Sequence, residues 1–540
     1  MSLIVVADPL QASGVAILRG SGAEVREVAA DERPRLPELL AEADALVVRS
    51  MTKVTAELLR AGRRLKVVGR AGVGVDNVDV EAATAMGVLV VNAPTANLLS
   101  ATEHTFALLL ALARNVPAAD ASLKGGAWER GRFQGTELQG KRLGIVGFGR
   151  IGQQVAERAR AFGMEVAAYD PFLDPAVATR QRVELLPLDE LLARADVVTL
   201  HTPLTDQTRN LLDSGHLQAM KRGALLVNCA RGGLVDEAAL LELLDAGHLG
   251  GAALDVFAEE PPRDLALIRH PKVVATPHLG AQTLEAQERI ATETAEMVLK
   301  ALAGSLAVAA VNLPFRPAGA EGEPYLALGE RLGSLAAQLL AAAPSRLRVD
   351  TWGVEEELRA PVAVAALKGT LARQLGETVN YVNAAALAES RALELVHAAH
   401  SLAGDYPHLV RVRLDGRSGE RVELEGALFG RGDPRVVRFG GYRLEFRPEG
   451  RLLVLENRDV PGVVGNLGTI LGAAGINIAD IHLARRDHHG EALAVLRIDQ
   501  EPPAELLRRI GEMPEVRSVR LVHLPPLPEL ATPRGEGGDE

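Results

Sequence analysis

Cysteine is almost missing from this chain: Cys229 stands alone among 540 residues. One thiol cannot close an intrachain disulfide, and such usage fits a reducing compartment. Aromatic residues are scarce too, at 3%. The cores must be aliphatic, and nucleic-acid binding by base stacking is excluded as a main activity. Basic charge is in deficit, with 59 Lys and Arg against 70 Asp and Glu, a net charge of −11. A protein that coats nucleic acid needs the reverse balance. Apolar runs long enough to span a membrane, about 18 residues, do not occur. The opening MSLIVVADPL is too short and too uncharged for a signal peptide. A cytoplasmic chain without membrane or nucleic-acid partners is therefore expected. No His, Cys, Asp and Glu cluster has metal-ligand spacing, so no metal is expected. Asp487-His488-His489-Gly490 looks like a metal tract but reads as a polar hairpin turn.

What is present is a long series of short apolar runs. LIVVA (3–7), ALVVRS (45–50), KVVGRA (66–71) and VLVVNA (88–93) read as buried parallel strands alternating with helices. A second series holds RLGIVGF (142–148), EVAAYD (165–170), VVTLHT (197–202), ALLVNCA (224–230), GAALDVF (251–257) and VVATPH (273–278). Two α/β units in succession predict two Rossmann-like or flavodoxin-like lobes around a cleft. PFRPAGAEGEP (314–324) reads as a boundary. Ala/Leu-rich helical patterns follow to about residue 400, then alternating strands from 408 to 447, an α+β unit. Residues 451–523 have the order strand, helix, strand, strand, helix, strand, which is ferredoxin-like. The tail 525–540 is rich in Pro, Gly and acids and reads as disordered.

GFGRIG (147–152) lies between an apolar strand and a helical pattern. Gly147, Gly149 and Gly152 permit a tight turn and close approach of a pyrophosphate to backbone N–H groups at a helix start. Asp170 follows 18 residues after the last glycine, at the end of the next strand. A carboxylate there binds ribose hydroxyls and repels a 2′-phosphate, so NAD is expected over NADP.

Three charged residues fall at the ends of three successive strands: Arg231, Glu260 and His278. Ligands of open α/β sheets bind outside the carboxyl ends of strands. Imidazole can take a hydroxyl proton, a neighbouring carboxylate can stabilise the imidazolium, and guanidinium can grip a substrate carboxylate. The set suits hydride transfer from an alcohol. Arg49 and Arg70 sit at strand ends, and the N–H groups around Val73 and Gly74 can cradle a carboxylate.

With these residues in view, GRAGVGVDNVD (69–79), GKRLGIVGFGRIG (140–152), HTPLT (201–205), VNCARGGLVDE (227–237), ALDVFAEEPP (253–262) and TPHLGAQTLEAQ (276–287) resemble the D-2-hydroxyacid dehydrogenase family. The resemblance covers nearly the whole chain. It is nearest to the long members that oxidise D-3-phosphoglycerate to 3-phosphooxypyruvate, the first step of L-serine biosynthesis. It implies catalytic roles for Arg231, Glu260 and His278. It implies cofactor contacts at Arg150, Ile151, Asp170, Thr202, Ala230, Asp255 and Gly280, with Asp255 holding the nicotinamide carboxamide. It places substrate contacts at Arg49 and, from a second subunit, at Arg130 in WERGRF (128–133). Gln282 departs from the serine common in the family.

The same resemblance implies a substrate lobe of residues 1–97 plus 290–315 and an NAD-binding lobe of 98–289. An intervening domain at 317–446 and an ACT regulatory domain at 451–523 would follow. In such ACT domains Asn457, Asp459 and Asn477 would bind L-serine where two copies pair, in a homodimer or homotetramer. Rival readings are reduction of glyoxylate, hydroxypyruvate, 2-oxoglutarate or D-lactate, or an NAD(H)-sensing regulatory protein. The extra 200 or so C-terminal residues favour the serine-pathway reading. Arg431, Arg435, Arg438, Arg443 and Arg447 form a basic run that could meet an anion or be a solvated strand face.

Overall fold

A computed structural model describes residues 1–306, 308–316, 319–401, 405–430, 432–485 and 490–527. The first sheet has five parallel strands, ordered Glu24–Glu27, Leu3–Val6, Ala45–Val48, Val67–Arg70, Leu89–Asn92. Its edge strand EVRE lacks an apolar run, which is why the sequence pattern does not show it. The other four strands are apolar but for Arg70 and Asn92 at their C-terminal ends, because both sheet faces are covered. Alternate residues serve separate cores: Val5, Leu46, Val68 and Val90 on one side, Ile4, Val47, Val67 and Val91 on the other. The second core is closed by Ala295 and Val298 of the helix Leu284–Leu302. The chain thus returns to its first sheet after building the second. A Cβ on Gly69 would lie 2.4 Å from Val298 Cγ2, so only glycine lets this helix sit so close.

The second sheet has seven parallel strands. From one edge they run Val273–Ala275, Gly251–Leu254, Leu225–Asn228, Val197–Leu200, Arg142–Val146, Glu165–Tyr169 and Glu184–Leu185. The order reverses beside Arg142–Val146, where a cleft opens between the loops that leave in opposite directions. The two lobes are joined where Arg289 Nε donates to Ala96 O at 3.0 Å and Thr95 Oγ1 meets Glu293 Oε2 at 3.3 Å.

The next region corrects the all-helical reading of 325–400. Helices Glu323–Leu339 and Glu356–Leu375 pack on a six-stranded sheet that includes Pro344–Trp352 and Glu394–His400 within that stretch. Those two strands carry charged and small residues, and pairing, not apolar content, makes them strands: Pro344–Trp352 pairs with Leu409–Gly416 on one side and with the edge strand Glu394–His400 on the other. The last sheet is ordered Ile478–Arg485, Glu491–Ile498, Gly450–Arg458, Val516–Leu524, with both helices on one face, as a ferredoxin-like unit requires. Its other face shares one core with the preceding domain, from Leu328 to Leu524. Asn380 Nδ2 donates to Gly87 O at 2.6 Å, and Val382 enters the first lobe's core, so the C-terminal half is docked on that lobe.

Candidate active site

The turn after Arg142–Val146 carries Gly147 at φ +93°, where a Cβ would lie 2.7 Å from His201 O. Gly152 faces back onto the turn, 2.3 Å from Gly147 O to its absent Cβ. Gly149 caps the helix Arg150–Ala161, and a Cβ there would meet nothing within 4 Å. The first N–H groups of this helix, including those of Arg150 and Ile151, have no intrahelical acceptor and suit a pyrophosphate. Asp170 is held at the next strand end by the N–H groups of Phe148 and Phe172, at 2.9 and 3.0 Å. Thr202 Oγ1, buried on the other side of the switch point, has no hydrogen-bond partner. These features together fit a dinucleotide. His201, part-buried with Nε2 3.0 Å from Thr199 Oγ1, is pushed down to about 4 by desolvation.

His278 Nδ1 and Glu260 Oε2 are 2.7 Å apart. Burial by itself would raise the Glu260 carboxyl, but bonding to His278 and to the Phe257 N–H outweighs it and holds the group below its ordinary range. The Glu260 bond in turn raises His278 above the usual imidazole value, against the opposing effect of burial. His278 has φ +55°, a left-handed conformation costing on the order of 1–3 kcal/mol for a non-glycine residue. Asp255 keeps it there. Its backbone oxygen accepts from His278 N–H at 2.8 Å, and its carboxylate accepts from Leu279 and Gly280 N–H at 2.7 and 2.8 Å.

Asp255 is wholly buried, and its Oδ1 also meets Thr276 Oγ1 and His104 Nε2 at 2.6 and 3.1 Å. Burial would raise this carboxyl, yet the bonds from His104 and Thr276 prevail and lower it. The bonds it accepts from the His278, Leu279 and Gly280 N–H groups shape the loop of His278. Ser100 Oγ donates to Gly280 O at 2.8 Å from the same helix as His104. The sequence reading missed Ser100 and His104. Their signal was a polar pair four residues apart, hence on one face of the helix, though Thr102, Glu103 and Thr105 stand among them.

A cleft of ≈ 410 Å³ between the lobes is lined by Arg49, Arg70, Val73, Gly74, Arg231, Glu260 and His278. Residues far apart in sequence thus meet where the strand ends face one another. Gln282 lines it too, as do Asp76, Asn77 and Gln287, which the sequence reading did not single out. Buried Asp8 fixes Arg49 by accepting its N–H at 2.7 Å, and Gln287 Oε1 accepts from Arg49 Nη2 at 2.5 Å. Burial, with Arg231 adding repulsion, pushes Arg70 down to about 10. Among the described residues, the N–H groups of Val73 and Gly74 enter no backbone bond. Ala230 and Gly280 do not line it themselves but each adjoins a residue that does, Arg231 and Ala281.

Arg130 lies elsewhere, exposed in the short helix Arg130–Phe133 and absent from the cleft lining of its own chain. Burial, with Asp255 adding to it, pushes the Cys229 thiol up to about 12, which disfavours its thiolate. In the ACT unit, Asn457 is buried with its Oδ1 unpartnered. Asp459 meets Arg485 Nη1 at 3.3 Å, and Asn477 Nδ2 donates to Asp499 Oδ2 at 2.7 Å. Asp459 and Asn477 flank opposite ends of the 11-residue helix Val463–Ala473, roughly 16 Å apart at 1.5 Å per residue. One copy does not bring them together.

The basic run of the intervening region is neutralised: Arg435 pairs with Asp433, Arg438 with Glu425, Arg443 with Asp405 and Arg447 with Glu449. Arg431, the tract 487–489 and all but the first three residues of the tail lie outside the described residues. Among the described residues no group of three or more His, Cys, Asp or Glu is placed to hold a metal ion, and no single helix is long and apolar enough to cross a membrane.

A seven-stranded dinucleotide sheet facing a second parallel lobe, with an Arg/Glu/His cleft between them, is the architecture of a D-isomer-specific 2-hydroxyacid dehydrogenase. The family model of that name, for its NAD binding domain, matches residues 106–280. The D-3-phosphoglycerate dehydrogenase intervening domain matches 322–440, and the ACT domain 451–515. D-3-phosphoglycerate dehydrogenase of Methanocaldococcus jannaschii is 42% identical over 528 residues, 97% of this chain and 100% of the relative. That of Mycobacterium tuberculosis is 44% identical over 527 residues, 97% and 99% of the two chains. The chain belongs to the D-3-phosphoglycerate dehydrogenase family. Among solved structures, a D-lactate dehydrogenase from Aquifex aeolicus, complexed with NAD and lactic acid, aligns with TM-score 0.51 at 29% identity. That alignment covers 56% of this chain and 96% of the other.

Proposed function

We propose that this chain is an NAD-dependent dehydrogenase that oxidises D-3-phosphoglycerate to 3-phosphooxypyruvate, the first step of L-serine biosynthesis. One observation carries the substrate choice. Three guanidinium groups, Arg49, Arg70 and Arg231, line the same cleft as the His278–Glu260 pair, and the substrate is anionic at both ends. Arg231 is assigned the carboxylate, which it can grip through paired bonds. Arg49, Arg70 and the Val73–Gly74 backbone take the rest of the molecule. Arg130 of a second copy is assigned the phosphate.

Bound NAD supplies the hydride acceptor. Gly147, Gly149, Arg150, Ile151 and Gly152 are assigned its pyrophosphate, Asp170 its ribose, and Thr202, Ala230, Asp255 and Gly280 its nicotinamide end. His278 takes the C2 hydroxyl proton on Nε2, because Nδ1 is engaged by Glu260. The Glu260 carboxylate stabilises the imidazolium that forms. Arg231 polarises the incipient carbonyl. Rotation of the lobes about the crossings at 95–103 and 288–294 closes the cleft and excludes water.

The domain extents follow the same reading: 1–97 with 290–315 for substrate, 98–289 for NAD, 317–446 intervening and 451–523 ACT. A cytoplasmic homodimer or homotetramer with L-serine as effector at Asn457, Asp459 and Asn477 completes it. Steady-state turnover of D-3-phosphoglycerate with NAD tests the function. Turnover of glyoxylate or 2-oxoglutarate in its place would reassign the substrate, and NADH binding without any turnover would leave a sensor.

A further inference from the structure

Arg231 belongs to the NAD lobe, yet its Nε donates to Asp76 Oδ2 of the substrate lobe at 3.1 Å. Nη1 is turned back onto Ala230 O at 2.7 Å. Nη2 lies against Gly74, where a Cβ would come within 1.9 Å of it. The Nε edge is half of the fork that grips a carboxylate in the two-bond mode. Asp76 therefore sits on the group that the proposed function gives to the substrate's carboxylate, and the inference rests on that reading.

The loop holding Asp76 is pinned. Asn92 Nδ2 donates to Val73 O at 2.5 Å, and Asn77 Nδ2 donates to Arg49 O and Thr52 O, both at 2.6 Å. A change of partner must then come from Arg231 and its lobe, not from Asp76. The cleft lining holds two carboxylates, and Glu260 is engaged by His278. Asp76 is left to face Arg231 and Arg70, and its charge opposes the downward push that burial and Arg231 exert on Arg70.

We propose that Asp76 is a specificity-determining competitor: it holds Arg231 across the cleft, and a carboxylate ligand must displace it to bind. Anions that cannot pair with Arg231 gain nothing from the exchange. Coupling the exchange to lobe movement ties recognition of the carboxylate to closure.

The test is steady-state kinetics of wild type and Asp76→Asn, together with calorimetry of ligand binding to the NADH-loaded proteins. Half-exposed ion pairs are weak, so KM for D-3-phosphoglycerate is expected to fall about two- to five-fold in Asp76→Asn without a rise in kcat. D-Glycerate, which has the carboxylate but no phosphate, should bind tighter by a similar factor, and chloride, which cannot make paired bonds, should not. The D-glycerate gain should vanish when Asp76→Asn is combined with Arg231→Lys. A fall in kcat with KM unchanged or raised would overturn the inference, since Asp76 would then orient Arg231 for catalysis. An equal gain for chloride, surviving in Arg231→Lys, would overturn it in favour of a general field. An unaltered Asp76→Asn enzyme would overturn it as well. Wild-type turnover is measured first: its absence removes the proposed function, and its presence beside any of those results removes only the role of Asp76.

Discussion

The interlobe cleft and the ACT unit treat their candidate residues in opposite ways. In the cleft, Arg231, Glu260 and His278 come from three successive strands of one parallel sheet and converge within one chain. In the ACT unit, Asp459 and Asn477 are separated by a single helix and diverge to its two ends. The difference is topological. Parallel strands deliver all their C-terminal ends to one edge, and the cleft residues all follow such ends. Asp459 follows the C-terminal end of Gly450–Arg458, whereas Asn477 precedes the N-terminal end of Ile478–Arg485, which runs in the same direction, so the two stand at opposite edges. The candidate residues of the first region, Arg130 apart, meet within one copy. Asp459 and Asn477 do not.

The strongest way to break this contrast is to remove the converging groups. His278→Ala and Arg231→Ala are each expected to lose on the order of 10²–10⁴ in turnover while still binding NADH in a fluorescence titration. Near wild-type kcat in either would mean that the convergence is not catalytic. A smaller effect is expected at Asp170. The ratio of kcat/KM for NAD over NADP should fall about tenfold or more in Asp170→Ala, because a like charge no longer opposes the 2′-phosphate. An unchanged ratio would remove Asp170 from cofactor choice.

Glu260→Gln sharpens the acid–base pairing. Glu260 raises His278, and the base must be neutral to accept the hydroxyl proton. Oxidation by the wild type should therefore decline on the acid side at a pH above the ordinary imidazole value of ~6.5. The variant should move that limb down by about one pH unit. A limb that stays or moves up in the pH–kcat/KM profile would contradict the assignment. The smallest expected effect tests the other half of the contrast. L-Serine should bind the wild type at millimolar or lower concentration by calorimetry and lose that binding in Asn477→Ala. No heat with the wild type would leave the ACT unit as an assembly module.

Much of the first two lobes was legible because a parallel strand covered on both faces must be apolar at nearly every position. The runs at LIVV, ALVV, RLGIV and GAAL say so directly. EVRE was not legible, because an edge strand needs no such run. Pro344–Trp352 and Glu394–His400 were hidden for a related reason: their charged residues form cross-strand pairs such as Arg346 with Glu394. In the site, the strand-end charges could be picked out by position. Ser100, His104 and Asp255 act by holding the loop of His278, and such second-layer bonds leave little trace in a one-dimensional pattern.

By itself, the sequence determined the apolar strands of the parallel sheets, though not the edge strands Glu24–Glu27 and Glu184–Leu185, and it determined where the pyrophosphate turn lies and which groups stand at strand ends, since periodicity and glycine placement are local properties. Tertiary structure decided what those groups face. The return of Leu284–Leu302 to the first lobe sets one edge of strand ends against the other. Only that packing brings Asp76 to Arg231 across 155 residues of chain and buries Arg70 enough to lower it to about 10. Burial and proximity arise when distant segments share one core, and no local stretch of sequence encodes either.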